Sequence, residues 1–159
     1  MYTILKNCHY SIPPKLCFSF KENFKWLVQW NDSCKYDLQS VDQWDINKLC
    51  GLRMNLFSNH INSFRFGWLY NTKTSLIDIY AYYYINKKRS FSKIDSNSIN
   101  DITLLELNFL SNSVQFKVNS KSFIVDFKNE TKSIKYYSGL YFGGNRPAPH
   151  TIKIIILEQ

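Results

Sequence analysis

Residues 138–157 read SGLYFGGNRPAPHTIKIIIL, and this run decides the fold class. Apolar, strand-like stretches at Leu140–Phe142 and Ile152–Leu157 flank a centre that cannot be regular structure. Gly143 and Gly144 open backbone conformations closed to other residues, while Pro147 and Pro149 fix φ and remove backbone donors. Asn145-Arg146 before Pro147 therefore reads as a turn between strands. Such a pattern closes a β-sandwich.

Period-2 signals extend upstream. Phe64, Phe66, Trp68 and Tyr70 alternate with Arg65, Gly67 and Leu69, giving one strongly aromatic face. Ile77–Ile85 is the clearest strand. Ile77, Ile79, Ala81, Tyr83 and Ile85 suit a core, and Asp78, Tyr80, Tyr82 and Tyr84 suit water or a ligand. Asn86–Lys88 turns into a strand over Arg89–Ile94, followed by a polar loop over Asp95–Asn100. Val114–Val118 and Phe123–Phe127 form a hairpin around Asn119-Ser120, with Asn suited to positive φ. Leu16–Phe20, Phe24–Trp30 and Thr103–Phe109 supply further strands. One helical turn is predicted, capped by Asp45, with Lys48 near its C-terminal end and Gly51 stopping it. There is no long amphipathic helix, internal repeat or linker. Short antiparallel strands at this spacing point to an all-β sandwich or barrel, with one domain over residues 1–159.

The net charge is +8, which favours acidic partners such as anionic glycans, nucleic acid or a negative cell surface. The lysines are scattered, however, and only Lys87, Lys88 and Arg89 cluster, at a hairpin tip. With no basic stripe and no RNA-binding signature, nucleic acid is not the expected partner. No apolar run nears the roughly 20 residues of a membrane helix, so no membrane span is expected. The N-terminus lacks the basic-then-apolar layout of a secretory signal; an extracellular, cell-surface or virion-associated location is expected without one. Cys8, Cys17, Cys34 and Cys50 form no CxxC and do not space as zinc ligands, so buried free thiols are the expectation. No metal and no cofactor are expected.

Tyr141-Phe142-Gly143-Gly144-Asn145, then Pro147-Ala148-Pro149-His150 and a terminal strand, resembles the concanavalin A-like lectin/glucanase superfamily. Ser63–Trp68 followed by Ile77–Tyr82, with Asn47-Lys48-Leu49 and His60–Asn62, is similar to a group of small bacterial β-sandwich proteins. The superfamily resemblance implies an all-β, two-sheet antiparallel β-sandwich of jelly-roll type, with one concave sheet that binds or cleaves polysaccharides, and this is the fold we expect. The glucanase strand Glu-x-Asp-x-x-Glu is absent. The alginate-lyase segments Arg-x-Glu-x-Arg and Tyr-Phe-Lys-Ala-Gly are replaced here by Arg65-Phe66-Gly67 and Tyr141-Phe142-Gly143.

Two carboxylates about 5 Å apart, or somewhat more, would define a glycosidase. The strand-borne acids Asp78, Glu106 and Asp126 lie on different strands. A lyase needs a cation plus an acid and a base, for which Arg65, His60, Tyr82, Tyr141 and His150 are candidates. A binding module needs aromatic rings to stack on sugars and polar groups to bond hydroxyls. The leading expectation is such a non-catalytic carbohydrate-binding or surface-recognition module, with no catalytic residue. Tyr80, Tyr82 and Trp68 form its platform, Asp78 and Arg65 orient the sugar, and His60, Asn145 and Arg146 add rim contacts. The expected partner is a glycan or cell-surface polysaccharide. The alternatives are a structural, virion-surface or homo-oligomeric subunit, and a polysaccharide lyase acting on an anionic glycan.

Overall fold

The computed structural model describes residues 1–13, 17–128 and 133–159. The first strands are β1 (Tyr2–Ile4), β2 (Ser11–Ile12), β3 (Phe18–Ser19), β4 (Asn23–Gln29), β5 (Asn47–Arg53), β6 (Ser63–Asn71) and β7 (Leu76–Ile85). They are followed by β8 (Lys88–Asn97), β9 (Ile102–Phe109), β10 (Ser113–Val118), β11 (Lys121–Asp126), β12 (Lys135–Ser138) and β13 (Ile152–Glu158). One sheet has the order β11-β10-β9-β4-β13-β1-β2 and the other β3-β12-β5-β6-β7-β8, with antiparallel pairing throughout. The chain changes sheet between β2 and β3, β3 and β4, β4 and β5, β8 and β9, β11 and β12, and β12 and β13. This is an all-β, two-sheet jelly roll: the alternation points to a sandwich or barrel, and the superfamily resemblance to this one.

The core lies between the sheets and is built from one face of each strand. Phe24, Trp26 and Val28 of β4 and Leu105, Leu107 and Phe109 of β9 meet Phe64, Phe66 and Trp68 of β6 and Ile77, Ile79 and Ala81 of β7. Rings cross the gap edge-on: Phe66 lies 5.3 Å from Phe116 and Phe64 lies 5.6 Å from Phe109. Each such side chain contributes roughly 1.5–3 kcal/mol by leaving water. Two buried polar side chains inside the sandwich share one acceptor: Trp30 Nε1 and Asn97 Nδ2 both donate to Thr103 Oγ1, at 3.1 and 2.5 Å.

Four local readings change. No helical turn forms at Asp45–Gly51, which runs instead into β5; a 3₁₀ turn precedes it at Val41–Trp44, with Asp45 at its C-terminal end. Strand pairing with β6 overrides the capping signals. Gly51 sits at φ +151, and an added Cβ there would stand 2.3 Å from the Phe64 carbonyl oxygen and 2.5 Å from Arg65 Cα. Asp95–Asn97 belongs to β8 rather than to a loop. The strand expected at Leu16–Phe20 reduces to Phe18–Ser19, and Leu16 lies outside the described residues. Of the four cysteines expected to be buried, only Cys34 and Cys50 are; Cys8 and Cys17 are exposed.

The closing run is a crossing between sheets. Tyr141 bridges Lys48 through paired backbone bonds of 2.8 and 2.9 Å. Gly143, at φ +72, donates its N–H to the buried Asn47 Oδ1. Phe142 N donates to His9 O at 2.8 Å, and Ala148 N to Cys8 O at 3.0 Å. The run is therefore held between the start of β5 and the N-terminal segment, and forms a wall over the outer face of the second sheet.

Candidate functional site

Two β-bulges decide what that outer face displays. Asn47, Leu52 and Phe64 point into the core, and the register of β5 on β6 shifts between Lys48 and Cys50. One extra residue at Leu49 lets Lys48 and Arg53, five apart, share the outer face, which strict alternation forbids. In β8 the shift opposite Ile79/Tyr80 does the same for Lys93 and Ser96.

The resulting ladder has three cross-strand rows. Arg53, Ser63, Tyr84 and Arg89 form one; Gly51, Arg65, Tyr82 and Phe91 form the next; Lys48, Gly67, Tyr80 and Lys93 form the third. Rows two residues apart lie roughly 7 Å apart along the strands. Ile46 fills the space over Gly67 and clusters with Leu69 and Tyr82, against which Tyr80 and Tyr84 pack. This apolar patch strips water from the neighbouring cations.

Above the first two rows and beside Lys48 is an open cleft of about 620 Å³, within the range of small-ligand sites. Lys48, Arg53, Arg65, Arg89 and His60 line it, with Tyr10, Tyr82, Tyr84, Tyr137 and Tyr141, and with Asn59 and Asn145. Among the described residues no aspartate or glutamate lines it. Burial drives the Arg65 guanidinium down to about 10, with the nearby Tyr82 and Tyr84 opposing; it stays charged at neutral pH. Its Cζ lies 5.1 Å from the Tyr82 ring centroid and 6.0 Å from that of Tyr84. Arg65 is 6% exposed, its Nε has no hydrogen-bond partner, and it forms no ion pair among the described residues. Lys48 Nζ stands 4.8 Å from the Tyr82 centroid and 5.7 Å from that of Tyr141. Burial, then Arg65 and Arg89, lower the Lys48 amine to about 8 against the opposing charge of Asp45. His60 stacks on Tyr84 at 5.0 Å, and Tyr10 meets Tyr141 edge-on at 5.1 Å. The arrangement can attract an anion, place it over aromatic rings, and bond neighbouring hydroxyls.

No protein-family model and no curated protein matches the sequence. Among solved structures the chain is similar to an alginate lyase from Alteromonas sp. 272, at 7% identity and TM-score 0.49, over 88% of this chain and 73% of that one. It is similar to carbohydrate binding module CBM66 from Bacillus subtilis at 7% identity and TM-score 0.41, over 86% and 78% of the two chains. Chicken galectin 2 matches at 11% identity and TM-score 0.38, over 99% and 98%. Likeness this distant assigns no residue a role.

Of the residues singled out from sequence, Arg65, Tyr82, His60 and Asn145 meet in the cleft. Four others do not. Trp68 is fully buried in the core, 5.5 Å from Trp30, and cannot share a platform with Tyr82. Asp78 is 3% exposed and occupied by Lys93 Nζ at 2.7 Å, Ser96 Oγ at 2.7 Å and Asn71 Nδ2 at 3.0 Å. Tyr80 packs edge-on against Phe91 and does not line the cleft. Arg146 turns away to Asp42, with Nε 3.1 Å from Oδ2. Among the lyase candidates, Tyr141 lines the cleft, and His150 is bonded through Nε2 to Ser33 O at 2.9 Å on the opposite sheet's side. Glu106 pairs with Lys25 and Lys117 on the first sheet, so it forms no carboxylate pair with Asp78.

Sequence reading missed Lys48, Arg53, Arg89 and Tyr10. Arg89 was recoverable: a two-residue turn at Asn86-Lys87 sets Tyr84 opposite Arg89 and Tyr82 opposite Phe91. Lys48 and Arg53 depend on a bulge that carries no sequence mark.

Proposed function

We propose that this protein binds an acidic oligosaccharide on the outer face of the β3-β12-β5-β6-β7-β8 sheet. The observation that carries this reading is Arg65: among the described residues its buried guanidinium has no ion-pair partner, and the cleft it faces has no carboxylate on its walls. A buried charge left unpaired is costly, so its pairing is supplied by a ligand. Lys48, Arg65 and Arg53 fall on successive rows, which suits a chain bearing a negative group on more than one sugar. The Tyr82, Tyr84 and Tyr10 rings offer apolar surface to sugar faces, and Asn59 and Asn145 offer amide groups to hydroxyls. The test is a panel of immobilised glycans: acidic chains are retained and neutral chains of equal length are not.

Lys48 supports cleavage as a second reading. A lyase needs a cation beside the acid group and a base beside the sugar, and Arg65 and the easily deprotonated Lys48 face the same Tyr82 ring. Absorbance of unsaturated products on uronate polymers decides it: a steady rise supports cleavage, and a flat trace with retained binding leaves a binding module.

A further inference from the structure

The binding reading uses Lys48 only as a positive charge, yet its surroundings are those of a nucleophilic amine. Its Nζ sits in the cleft between the rings of Tyr82 and Tyr141, and its hydrogen bond to Gly143 O is long, at 3.4 Å. No carboxylate is within ion-pairing distance among the described residues. The groups facing it are Tyr82 from β7, Arg65 from β6, Arg89 from β8, Tyr141 from the closing run and Asp45 just before β5. Burial first, and the two arginines next, bring the amine to about 8, with Asp45 acting the other way. A lysine stripped of water beside another cation is activated in this manner for attack on carbonyl carbon. Tyr82 and Tyr141 are both raised, chiefly by burial, and stay neutral phenols at that pH.

Arg65 adds selectivity. Its guanidinium reaches the same Tyr82 ring as Lys48, at 5.1 Å against 4.8 Å. A small molecule can therefore place a negative group on Arg65 and an electrophilic carbon on Lys48.

We propose that Lys48 condenses with anionic carbonyl compounds, aldehydes or α-oxo acids bearing a carboxylate, while Arg65 holds the carboxylate. The lone pair of the neutral amine forms the C–N bond as the carbonyl π bond opens, and one amine proton passes to the oxygen to give a carbinolamine. The second amine proton leaves with that oxygen as water, so the C–O bond breaks and a C=N bond to Lys48 remains. No oxidant or reductant is consumed. The inference rests on the reading of the cleft as an anion site through Arg65.

The test is labelling of the intact protein at pH 8 with glyoxylate, or with uncharged acetaldehyde, trapped by cyanoborohydride and located by peptide mass mapping. With an ordinary lysine near 10.4, Lys48 is expected to label at least about tenfold faster than the exposed lysines. It is expected to prefer glyoxylate by about tenfold, a preference Arg65→Gln removes. Lys48 labelling no faster than exposed lysines, or a preference that survives Arg65→Gln, overturns the proposal. Acidic-oligosaccharide binding by unlabelled protein, measured in parallel, separates the two readings. Binding without Lys48 labelling overturns the condensation alone, and labelling without binding overturns the oligosaccharide reading alone.

Discussion

Arg65 and Tyr82 stand directly opposite each other on β6 and β7, with the guanidinium carbon 5.1 Å from the ring centroid. The ring shields the cation from water without neutralising it. The pair thus holds a buried positive charge ready for an anion.

Arg65→Gln should separate binding from stability. Hydrogen bonds to a charged group contribute about 1.5–3 kcal/mol, so affinity for an acidic oligosaccharide should fall roughly 10- to 100-fold. Removing an unpaired buried cation should leave Tm unchanged or raise it. Calorimetric titration and thermal unfolding on one preparation check both.

Asp78→Asn should do the reverse. Burial pushes the Asp78 carboxyl up, but Lys93, Ser96 and Asn71 together outweigh it and hold it below the ordinary carboxylate range. The folded state therefore favours the ionised form. Its contribution is complete above the unfolded value near 3.9 and is lost as pH falls through the lower folded value. Asn should cost about 1–3 kcal/mol at pH 7 and less in acid, with glycan affinity within about twofold of wild type. Denaturant titrations at pH 7 and pH 3 measure this.

Gly51→Ala should damage fold and site together. The new Cβ would collide with backbone, 2.3 Å from Phe64 O and 2.5 Å from Arg65 Cα, at φ +151. Neither β5 nor β6 can yield without disturbing the rows that carry Arg53 and Arg65. A loss of more than about 2 kcal/mol is expected, read as a lower denaturant midpoint.

Affinity for an acidic ligand should fall as pH rises through about 8, where Lys48 loses its proton. The ligand binds the charged form, so binding raises the Lys48 value and takes up a proton near pH 8. The free protein should show the opposite trend: its folded value is below the unfolded one, so this group makes stability rise between about pH 8 and 10. Lys48→Arg should flatten the affinity profile. Titrations from pH 6 to 10 in buffers of different ionisation heat test this.

The sandwich was legible because alternation survives wherever one face is buried. Ile77, Ile79 and Ala81 of β7 are buried as read, and the Asn119-Ser120 turn has Asn119 at φ +53. The site was legible only in part. Trp68 lies three residues from Arg65 on one strand, an odd spacing that already puts it on the core face. Asp78 looked like a ligand group because its three partners come from elsewhere: Lys93 and Ser96 reach it only through the β8 bulge, and Asn71 from across the β6–β7 turn. Lys48 and Arg53 join Arg65 through the β5 bulge, which tertiary pairing creates.

The most direct measurement is calorimetric titration, at pH 7 and low salt, of a uronate oligosaccharide and a neutral one of equal length against wild-type protein. The account predicts at least about tenfold preference for the uronate, weakening as salt screens the cleft. Equal affinity for both, or no heat from either with the sandwich intact by circular dichroism, would contradict it.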